Sequence, residues 1–224
     1  MTQVPENIKF IILTRTSSRP NYLKLNMESL NKQTHKNWYQ LISNDTDSNL
    51  DYLEDSNRKV VNVERVERTS YHHFPYNLYL NILNSEAYKM DGWIIYLDDD
   101  DMLLDDNSLA RLAGYIANKN AINSLFLWRV KYGENFYLPS SKLVKAQKLK
   151  ANNQPSNSFT FHSSLLNHKN LVWTDVKGGD FKFLCILYRK AGAKIWLDDC
   201  FTSVRLYSKS EQGKGMRDDI ELFT

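Results

Sequence analysis

The first half of the chain alternates between short apolar runs and segments whose apolar residues recur every three or four positions. The runs predict strands at 8–14, 38–43, 60–66 and 93–97, and the helical spacing predicts helices at 21–31 and 75–90. A short helix at 51–57 also fits the pattern. Pro20 suits the first turn of a helix, and Gly92 ends the second one. Strands and helices in alternation are typical of a parallel sheet with helices on both faces, so we predict an α/β fold.

The second half of the chain is less regular. Its pattern predicts helices at 108–117 and 180–191 and strands at 124–132, 158–166, 194–198 and 201–206. A stretch rich in Lys and Asn at 142–155 predicts a mobile connection. Residues 208–217, with basic residues and two glycines, predict a flexible basic tail or lid. Because no internal repeat is evident, we expect one domain over 1–224, made of two halves that meet near residue 104.

Composition and charge narrow the class of protein. With 224 residues, 42% of them hydrophobic, the chain is long and apolar enough for one substantial core. Its 29 basic and 26 acidic residues nearly cancel, which disfavours a nucleic-acid-binding surface. Cys185 and Cys200 are too few for a disulfide framework or a zinc site. The polar N-terminus predicts no signal peptide, and no apolar run reaches the ~18 residues of a membrane span, so we expect a soluble, cytoplasmic protein.

Four consecutive aspartates, Asp98 to Asp101, directly follow the apolar run at 93–97. Carboxylates this close repel one another unless a cation lies among them. They would stand at the C-terminal end of a strand, which is where open α/β sheets bind ligands. Such a cluster suits Mg²⁺ or Mn²⁺, which prefer oxygen ligands and keep positions open for phosphate oxygens. A solvated turn with Asp105 or Asp106 capping the next helix is the alternative, but a cap needs only one acid.

Polar residues also follow the first two predicted strands. Thr14-Arg15-Thr16 ends the first, and Asn44-Asp45 ends the second. The chain has no glycine-rich phosphate-binding motif, so a metal would have to neutralise a bound diphosphate, helped by cations such as Arg68. A carboxylate after the second strand can accept a hydrogen bond from a nucleobase. Together, these strand ends predict a site for a metal-bound nucleoside diphosphate.

These segments resemble glycosyltransferases of the GT-A fold, in particular those of family 2. Residues 29–34 and 37–38 are similar to the S-L-x-x-Q-T … N-W pattern of that family, and 14–16 stand where it has its first nucleotide loop. Residues 43–45 match its V-D-D, with Asn44 for the first acid, and 97–101 match its L-D-A-D-D, which contains the DxD motif. Residues 178–181 resemble its G-E-D, with Gly179 in place of the glutamate.

The resemblance implies an α/β/α sandwich with a mainly parallel central sheet. It also implies transfer of a sugar from a nucleotide donor, by default a uridine diphosphate sugar, to a glycan or other hydroxyl acceptor with inversion at the anomeric carbon. The half at 1–104 would bind the nucleotide sugar, and the half at 105–224 would bind the acceptor and catalyse transfer. A sugar nucleotidyltransferase is an alternative, disfavoured because 14–20 contain no glycine. A non-catalytic sugar-nucleotide or glycan-binding module is another.

Site roles follow from the same resemblance. Asp180 would be the catalytic base, and Asp100 would bind Mn²⁺ or Mg²⁺ directly, with Asp98 beside it. Asp45 would bind the base of the nucleotide, and Asp98 and Asp99 would face the ribose and the surroundings of the metal. The residues implied in nucleotide-sugar binding are Thr14, Arg15, Thr16, Asp45, Arg68, Asp98 and Asp99.

A few other residues have both a functional and a structural interpretation. His162 would line the acceptor pocket or ligate the metal, or would be a hydrogen-bonded core histidine. Asn77 and Asn81, one helical turn apart, would contact the nucleotide or lie on a solvated helix face. Trp128 and Arg129 would form a platform for a sugar ring, although core packing of Trp128 is the preferred interpretation.

Overall fold

The computed structural model describes residues 5–46, 50, 53–119, 122–132, 135–168 and 170–204. The first half of the sheet consists of parallel strands, as predicted. These are β1 (Phe10–Thr16), β2 (Trp38–Asn44), β3 (Arg58–Asn62) and β4 (Trp93–Tyr96), in the order β3-β2-β1-β4. Because they run in the same direction, the ends of β1, β2 and β4 meet at one edge of the sheet.

The second half extends the same sheet with mixed pairing. Its strands are β5 (Asp101–Leu103), β6 (Ser124–Tyr132), β7 (Phe136–Leu138), β8 (Phe159–His162) and β9 (Ala193–Val204). The order continues from β4 as β8-β6-β9-β5, with β7 on β6. β8 is antiparallel to both β4 and β6, whereas β9 is parallel to β6. The parallel character predicted for the sheet therefore belongs to its first half.

Helices cover both faces of the sheet, as the alternating pattern predicted. They are α1 (Pro20–Asn31), α2 (Asn77–Tyr88), α3 (Ser108–Lys119), the short α4 (Ser141–Lys145) and α5 (Gly179–Lys190). Leu80 of α2 and Phe183 of α5 belong to the core cluster on one face, and Leu30 of α1 and Leu112 of α3 belong to the cluster on the other. The chain thus forms an α/β/α sandwich.

Several predicted boundaries are wrong. Of the helix predicted at 51–57, the described residues contain one 3₁₀-helical position, Leu53, followed by a turn closed by an isolated Asp55–Arg58 bridge. The strand predicted at 158–166 ends at His162 and continues as a 3₁₀ helix (Ser163–Asn167). The two strands predicted at 194–206 are a single strand, β9, because a bulge against β6 absorbs the irregular residues between them. The stretch at 142–155 contains the end of α4 followed by turns, and the predicted tail at 208–217 lies outside the described residues.

The aromatic side chain of Trp128 is a core residue. It is fully buried, packs edge-to-face against Phe201, and donates its indole N–H to Thr202 Oγ1 at 3.0 Å. Arg129 forms an ion pair with Asp198 at 3.4 Å. The sugar-platform interpretation of this pair is therefore wrong, and core packing of Trp128 is confirmed.

A chain of buried amides supports the loop that carries the four aspartates. Asn26 Nδ2 lies 3.0 Å from the carbonyl oxygens of Asp98 and Asp101 and 3.3 Å from that of Leu97. Gln40 donates to Asn26 Oδ1 at 2.8 Å and accepts from Arg58 Nε at 3.0 Å. The Asn26 amide thus supplies hydrogen bonds to carbonyls that are shielded from water, and the carbonyl of Asp98 also accepts from the backbone N–H of Asp101 at 2.9 Å.

The S-L-x-x-Q-T pattern has a related structural role. Ser29 Oγ accepts from the backbone N–H of Leu103 at 3.2 Å, just after the aspartates. Gln33 donates to the carbonyl of Asp105 at 2.7 Å and accepts from the N–H of Leu109 at 3.0 Å, at the start of α3. These two side chains fasten the segment after the acidic run to α1.

We expect Asn26→Ala to lower the free energy of unfolding by about 2–4 kcal/mol, because it removes the amide that contacts three carbonyls in a buried environment and orients Gln40. Urea unfolding monitored by tryptophan fluorescence measures the change. Asn21→Ala, at an exposed position of the same helix, is the control and should change stability by about 0.5 kcal/mol or less. Equal effects of the two variants would show that the amide does not support the loop.

Candidate active site

A cavity of about 240 Å³ opens at the edge where β1, β2 and β4 end. Its wall is formed by the loop after β1, by Asp45 after β2, by residues 65–66, by the start of α2, and by Asp98 and Asp100. The structure therefore brings together Arg15, Thr16, Asp45, Asp98 and Asp100, as the sequence predicted. Thr14 is fully buried beneath this edge, where it accepts a hydrogen bond from Gln40, and it does not line the cavity.

Arg15 forms a two-pronged ion pair with Asp98. Its Nε lies 2.8 Å from Oδ1 and its Nη2 lies 2.5 Å from Oδ2. Burial by itself would raise the pKa of Asp98, but the charge and hydrogen bonds of Arg15 hold that pKa below its usual range. Asp98 therefore stays ionised, and its geometry is fixed by the planar guanidinium.

Arg19 is the second cation among the aspartates. Its guanidinium pairs with both oxygens of Asp99 and lies 3.2 Å from Asp100 Oδ2. Thr16 Oγ1 also donates to Asp99, at 2.8 Å. The run of four aspartates predicted a cation here, in the form of a metal ion. In the structure Arg15 and Arg19 lie among these carboxylates, and no local pattern in the sequence marks Arg19, which stands directly before Pro20.

The four aspartates differ in burial. The Asp99 side chain is fully buried, and this burial raises its pKa to about 7 against the lowering effect of Arg19. Asp101 lies in β5, where burial and the charges of Asp100 and Asp98 raise its pKa well above the usual value. Only Asp98 and Asp100 of the four line the cavity. These two are therefore the carboxylates available to a ligand.

Asp45 lies at the opposite wall of the cavity and is 6% exposed. The hydroxyl of Tyr79, which accepts from the backbone N–H of Val66 at 2.9 Å, interacts with this carboxylate. Within the described residues, no donor lies within hydrogen-bond distance of the buried Asp45 Oδ1. An acceptor of this kind is costly to bury unless something supplies a hydrogen, so it marks a place for a donor group of a ligand.

Of the two arginines that follow β3, Arg65 lines the cavity and Arg68 does not. Arg68 is buried behind the wall, where Nε and Nη2 donate to the carbonyls of Ser70 and Tyr71 at 3.0 and 2.7 Å. Its guanidinium stacks on Phe74, a cavity residue, at 4.4 Å from the ring centroid. In this structure Arg68 thus shapes the loop that leads to α2 and does not line the cavity.

Asp180 is the second residue of α5, whose N-terminus begins after Gly178 in the left-handed conformation with φ of 75°. Burial raises the pKa of Asp180, and the charge of Asp98 adds to this, while the backbone N–H of Phe181 and the charge of Arg15 lower it. These interactions place the carboxylate within the field of the Arg15–Asp98 pair. A partly buried carboxyl with a raised pKa has the properties of a general base.

The asparagines of α2 bind the segment before α5. Asn77 Nδ2 donates to the carbonyl of Thr174 at 3.0 Å, and Asn81 exchanges two hydrogen bonds with the backbone of Trp173 at 2.8 and 2.9 Å. Asn77 also lines the cavity, whereas Asn81 does not. Neither side chain lies on a solvated helix face.

His162 does not join this site. It lies opposite Trp93 at the start of β4, whereas the aspartates follow the end of that strand. Its Nε2 lies 3.1 Å from Asp91 Oδ1, and its Nδ1 contacts Ser164 Oγ at 3.0 Å. In this structure His162 therefore lies away from the cavity, and its contacts match the interpretation as a hydrogen-bonded histidine.

The described residues provide only part of what a metal ion would need for coordination. Among the described residues, no three His, Cys, Asp or Glu side chains are arranged to hold a metal ion together. Mg²⁺ in phosphate-binding sites usually takes only one or two carboxylates and completes its shell with water and phosphate oxygens. Asp100 and Asp98 at the cavity wall fit that smaller requirement.

Two proteins with solved structures share this fold. S. aureus TarS matches with a TM-score of 0.66 and 19% identity over 89% of this chain and 37% of that chain. TarS 1–349 in complex with UDP matches with a TM-score of 0.67 and 17% identity, over 89% and 61%. Mannosyltransferase PcManGT from Pyrobaculum calidifontis, in complex with GDP-Man and Mn²⁺, matches with a TM-score of 0.61 and 11% identity, over 93% and 61%. The chain therefore has the GT-A fold of glycosyltransferases.

The family follows from the sequence. The model described as Glycosyl transferase family 2 matches residues 10–174, which include the strand ends that build the cavity. The chain belongs to glycosyl transferase family 2. No curated protein sequence matches it significantly. The chain spans well under two thirds of the TarS chain that it matches, and the described residues include no helix long and apolar enough to cross a membrane.

We expect Arg19→Gln to destabilise the protein more at pH 8 than at pH 5. At pH 8 the variant must bury an ionised Asp99 without its cation, at a cost of about 3 kcal/mol. At pH 5, below the pKa of about 7 in the native protein, Asp99 is mostly protonated and the arginine contributes less. Urea unfolding at both pH values measures the difference.

Arg111→Gln is the control for this measurement. Arg111 pairs with Asp105 on the surface, and we expect a loss of about 1 kcal/mol or less at either pH. A loss for Arg19→Gln that is the same at pH 5 and pH 8 would contradict the role of Arg19 as counter-ion to Asp99.

Proposed function

We propose that this chain transfers a sugar from a uridine diphosphate sugar to a hydroxyl of a glycan or other acceptor, with inversion at the anomeric carbon. The observation that carries the proposal is the unsatisfied Oδ1 of Asp45 in a cavity that also contains Arg15, Arg19 and the carboxylates of the DxD motif. One end of this cavity needs a hydrogen-bond donor, and the other holds the charges that a metal and a diphosphate would engage.

The base would bind at the Asp45 end. The imide N–H of uracil can donate to Asp45 Oδ1, whereas the corresponding ring nitrogen of cytosine carries no hydrogen. Phe74 and Tyr76 line the same cavity and offer aromatic surface to a base. A guanine base also carries a ring N–H, and a mannosyltransferase with this fold binds GDP-Man, but the TarS structure in complex with UDP has the higher TM-score.

The diphosphate would bind at the acidic end, between the aspartates and the two arginines. Asp100, with Asp98, would hold Mn²⁺ or Mg²⁺, and when bound such an ion stabilises the charge that develops on a departing diphosphate. Arg19 is within reach of Asp100 in the donor-free protein, so its guanidinium is placed to contribute positive charge to the same region. The half of the chain at 1–104 would in this way bind the donor.

The half at 105–224 would supply the base. As the acceptor oxygen attacks the anomeric carbon, its proton passes to Asp180, and the bond from that carbon to the diphosphate breaks on the opposite face. The raised pKa of Asp180 makes it a stronger proton acceptor than an exposed aspartate. A single displacement of this kind inverts the configuration of the sugar.

We expect uridine diphosphate to bind more tightly than cytidine diphosphate by about tenfold, because cytosine leaves Asp45 Oδ1 unpaired at a cost of roughly 1–3 kcal/mol. Isothermal titration calorimetry with and without Mn²⁺ measures both affinities. Asp45→Asn should narrow the difference, whereas Asp106→Asn, at an exposed position outside the cavity, should preserve it. Equal affinities for the two nucleotides in the native protein would contradict the assignment of Asp45.

We expect Asp180→Asn to slow sugar transfer by roughly 10²–10⁴-fold, since an amide cannot take the proton of the acceptor. Donor affinity should stay near that of the native protein. In the native protein the rate should fall as the pH drops through the raised pKa of Asp180, because only the ionised carboxylate is a base.

Asp175→Asn is the matched control, since Asp175 lies five residues earlier, is half exposed, and pairs with His73. It should transfer sugar at nearly the native rate. Native rates in Asp180→Asn would instead favour a chain that binds a sugar nucleotide without catalysing transfer, or a base elsewhere.

A further inference from the structure

The side chain of Asn77 contacts both halves of the proposed site. Its Oδ1 accepts from Arg15 Nη1 at 3.0 Å, and its Nδ2 donates to the carbonyl of Thr174 at 3.0 Å. Arg15 in turn holds Asp98 in two hydrogen bonds. Thr174 precedes α5, the helix that carries Asp180. The side-chain amide of Asn77 therefore connects the acidic end of the cavity to the segment that leads to Asp180, the proposed base.

Gly179 makes room for this connection. A Cβ at position 179 would lie 2.5 Å from the carbonyl oxygen of Thr174 and 2.8 Å from Asn77 Nδ2. The backbone oxygen cannot swing aside, so a larger residue would break the contact between Asn77 and Thr174. The G-E-D pattern has a glutamate at the position of Gly179. In this chain the space that the glutamate side chain would need is occupied by the Thr174 carbonyl oxygen and the Asn77 amide.

We propose that Asn77 is a positioning residue that couples the Arg15–Asp98 pair to the N-terminus of α5, and thereby sets Asp180 relative to the bound donor. This proposal rests on the proposed function of the site. Without Asn77, Arg15 and Thr174 each lose a partner, since the other side-chain hydrogen bonds of Arg15 within the described residues go to Asp98. A displacement of about 1 Å between reacting groups can cost on the order of 10²-fold in rate.

Asn81 provides a matched comparison within the same helix. It also makes two hydrogen bonds to the segment before α5, through the N–H and carbonyl of Trp173. It contacts neither Arg15 nor the cavity. Loss of Asn81 should therefore destabilise the same segment as loss of Asn77. It should leave the hydrogen bonds of Asn77 with Arg15 and Thr174 in place.

The first experiment compares Asn77→Ala with Asn81→Ala in sugar-transfer kinetics, donor calorimetry and thermal unfolding. We expect the two variants to have similar decreases in Tm. Only Asn77→Ala should have a kcat about 10–100-fold lower than the native protein, together with a shift of the acidic limb of its pH–rate profile. Asn81→Ala should stay within about threefold of the native kcat. Equal losses of kcat in both variants, or no loss in Asn77→Ala, would overturn the proposal.

The second experiment needs no donor, so it separates failure of this proposal from failure of the proposed function. Arg15→Lys keeps the positive charge near Asp98 but lacks the fork that reaches Asn77. In the ligand-free protein we expect it to speed amide hydrogen exchange at residues 178–181 by several-fold, and to have no such effect in an Asn77→Ala background. An equal increase in both backgrounds, or none in either, would show that Asn77 does not carry the coupling. Failure of the native protein to bind uridine diphosphate would instead refute the proposed function.

Discussion

Four adjacent carboxylates at the end of β4 can be accommodated in a folded protein only if their mutual repulsion is offset, and this requirement organises the edge of the sheet around them. Arg15, near the end of β1, and Arg19, in the loop that follows it, reach across to Asp98, Asp99 and Asp100. The end of β1 and the acidic loop after β4 are thereby held against each other, and the cavity lies between them and Asp45. The protein itself therefore supplies cations that offset the charge of the carboxylates.

The same loop is constrained from below by hydrogen bonds rather than charge. Asn26 satisfies the carbonyls of the acidic run, Gln40 orients Asn26, and Ser29 and Gln33 fasten the residues that follow. Asn26 and Ser29 come from α1, Gln33 follows that helix, and Gln40 comes from β2. Polar residues at such positions appear unremarkable in a sequence, yet they determine where the carboxylates of the proposed metal and donor site can point.

The second half of the site depends on the close approach of α2 to the start of α5. Asn77 and Asn81 bind the backbone of 173–174, and the absence of a side chain at Gly179 permits the contact. The departure from the G-E-D pattern thus has a steric cause in this chain. The contact between Asn77 and Thr174 links Arg15, at the cavity wall, to the segment before the proposed base Asp180. This link is the reason why Asn77 is expected to influence sugar transfer.

The sequence by itself determined the α/β class, the parallel first half of the sheet, the strand ends that form the site, and the burial of Trp128. These follow from local pattern, because apolar runs and helical spacing report directly on burial and because parallel strands place their ends together. Tertiary structure alone decided that β9 is continuous and that His162 lies at the start of β4, away from the aspartates. It also decided that Arg65 rather than Arg68 lines the cavity, and that Arg19 pairs with the aspartates. Pairing between strands, the direction of a long side chain and the partner of a charge depend on residues distant in the chain, and no local pattern encodes them.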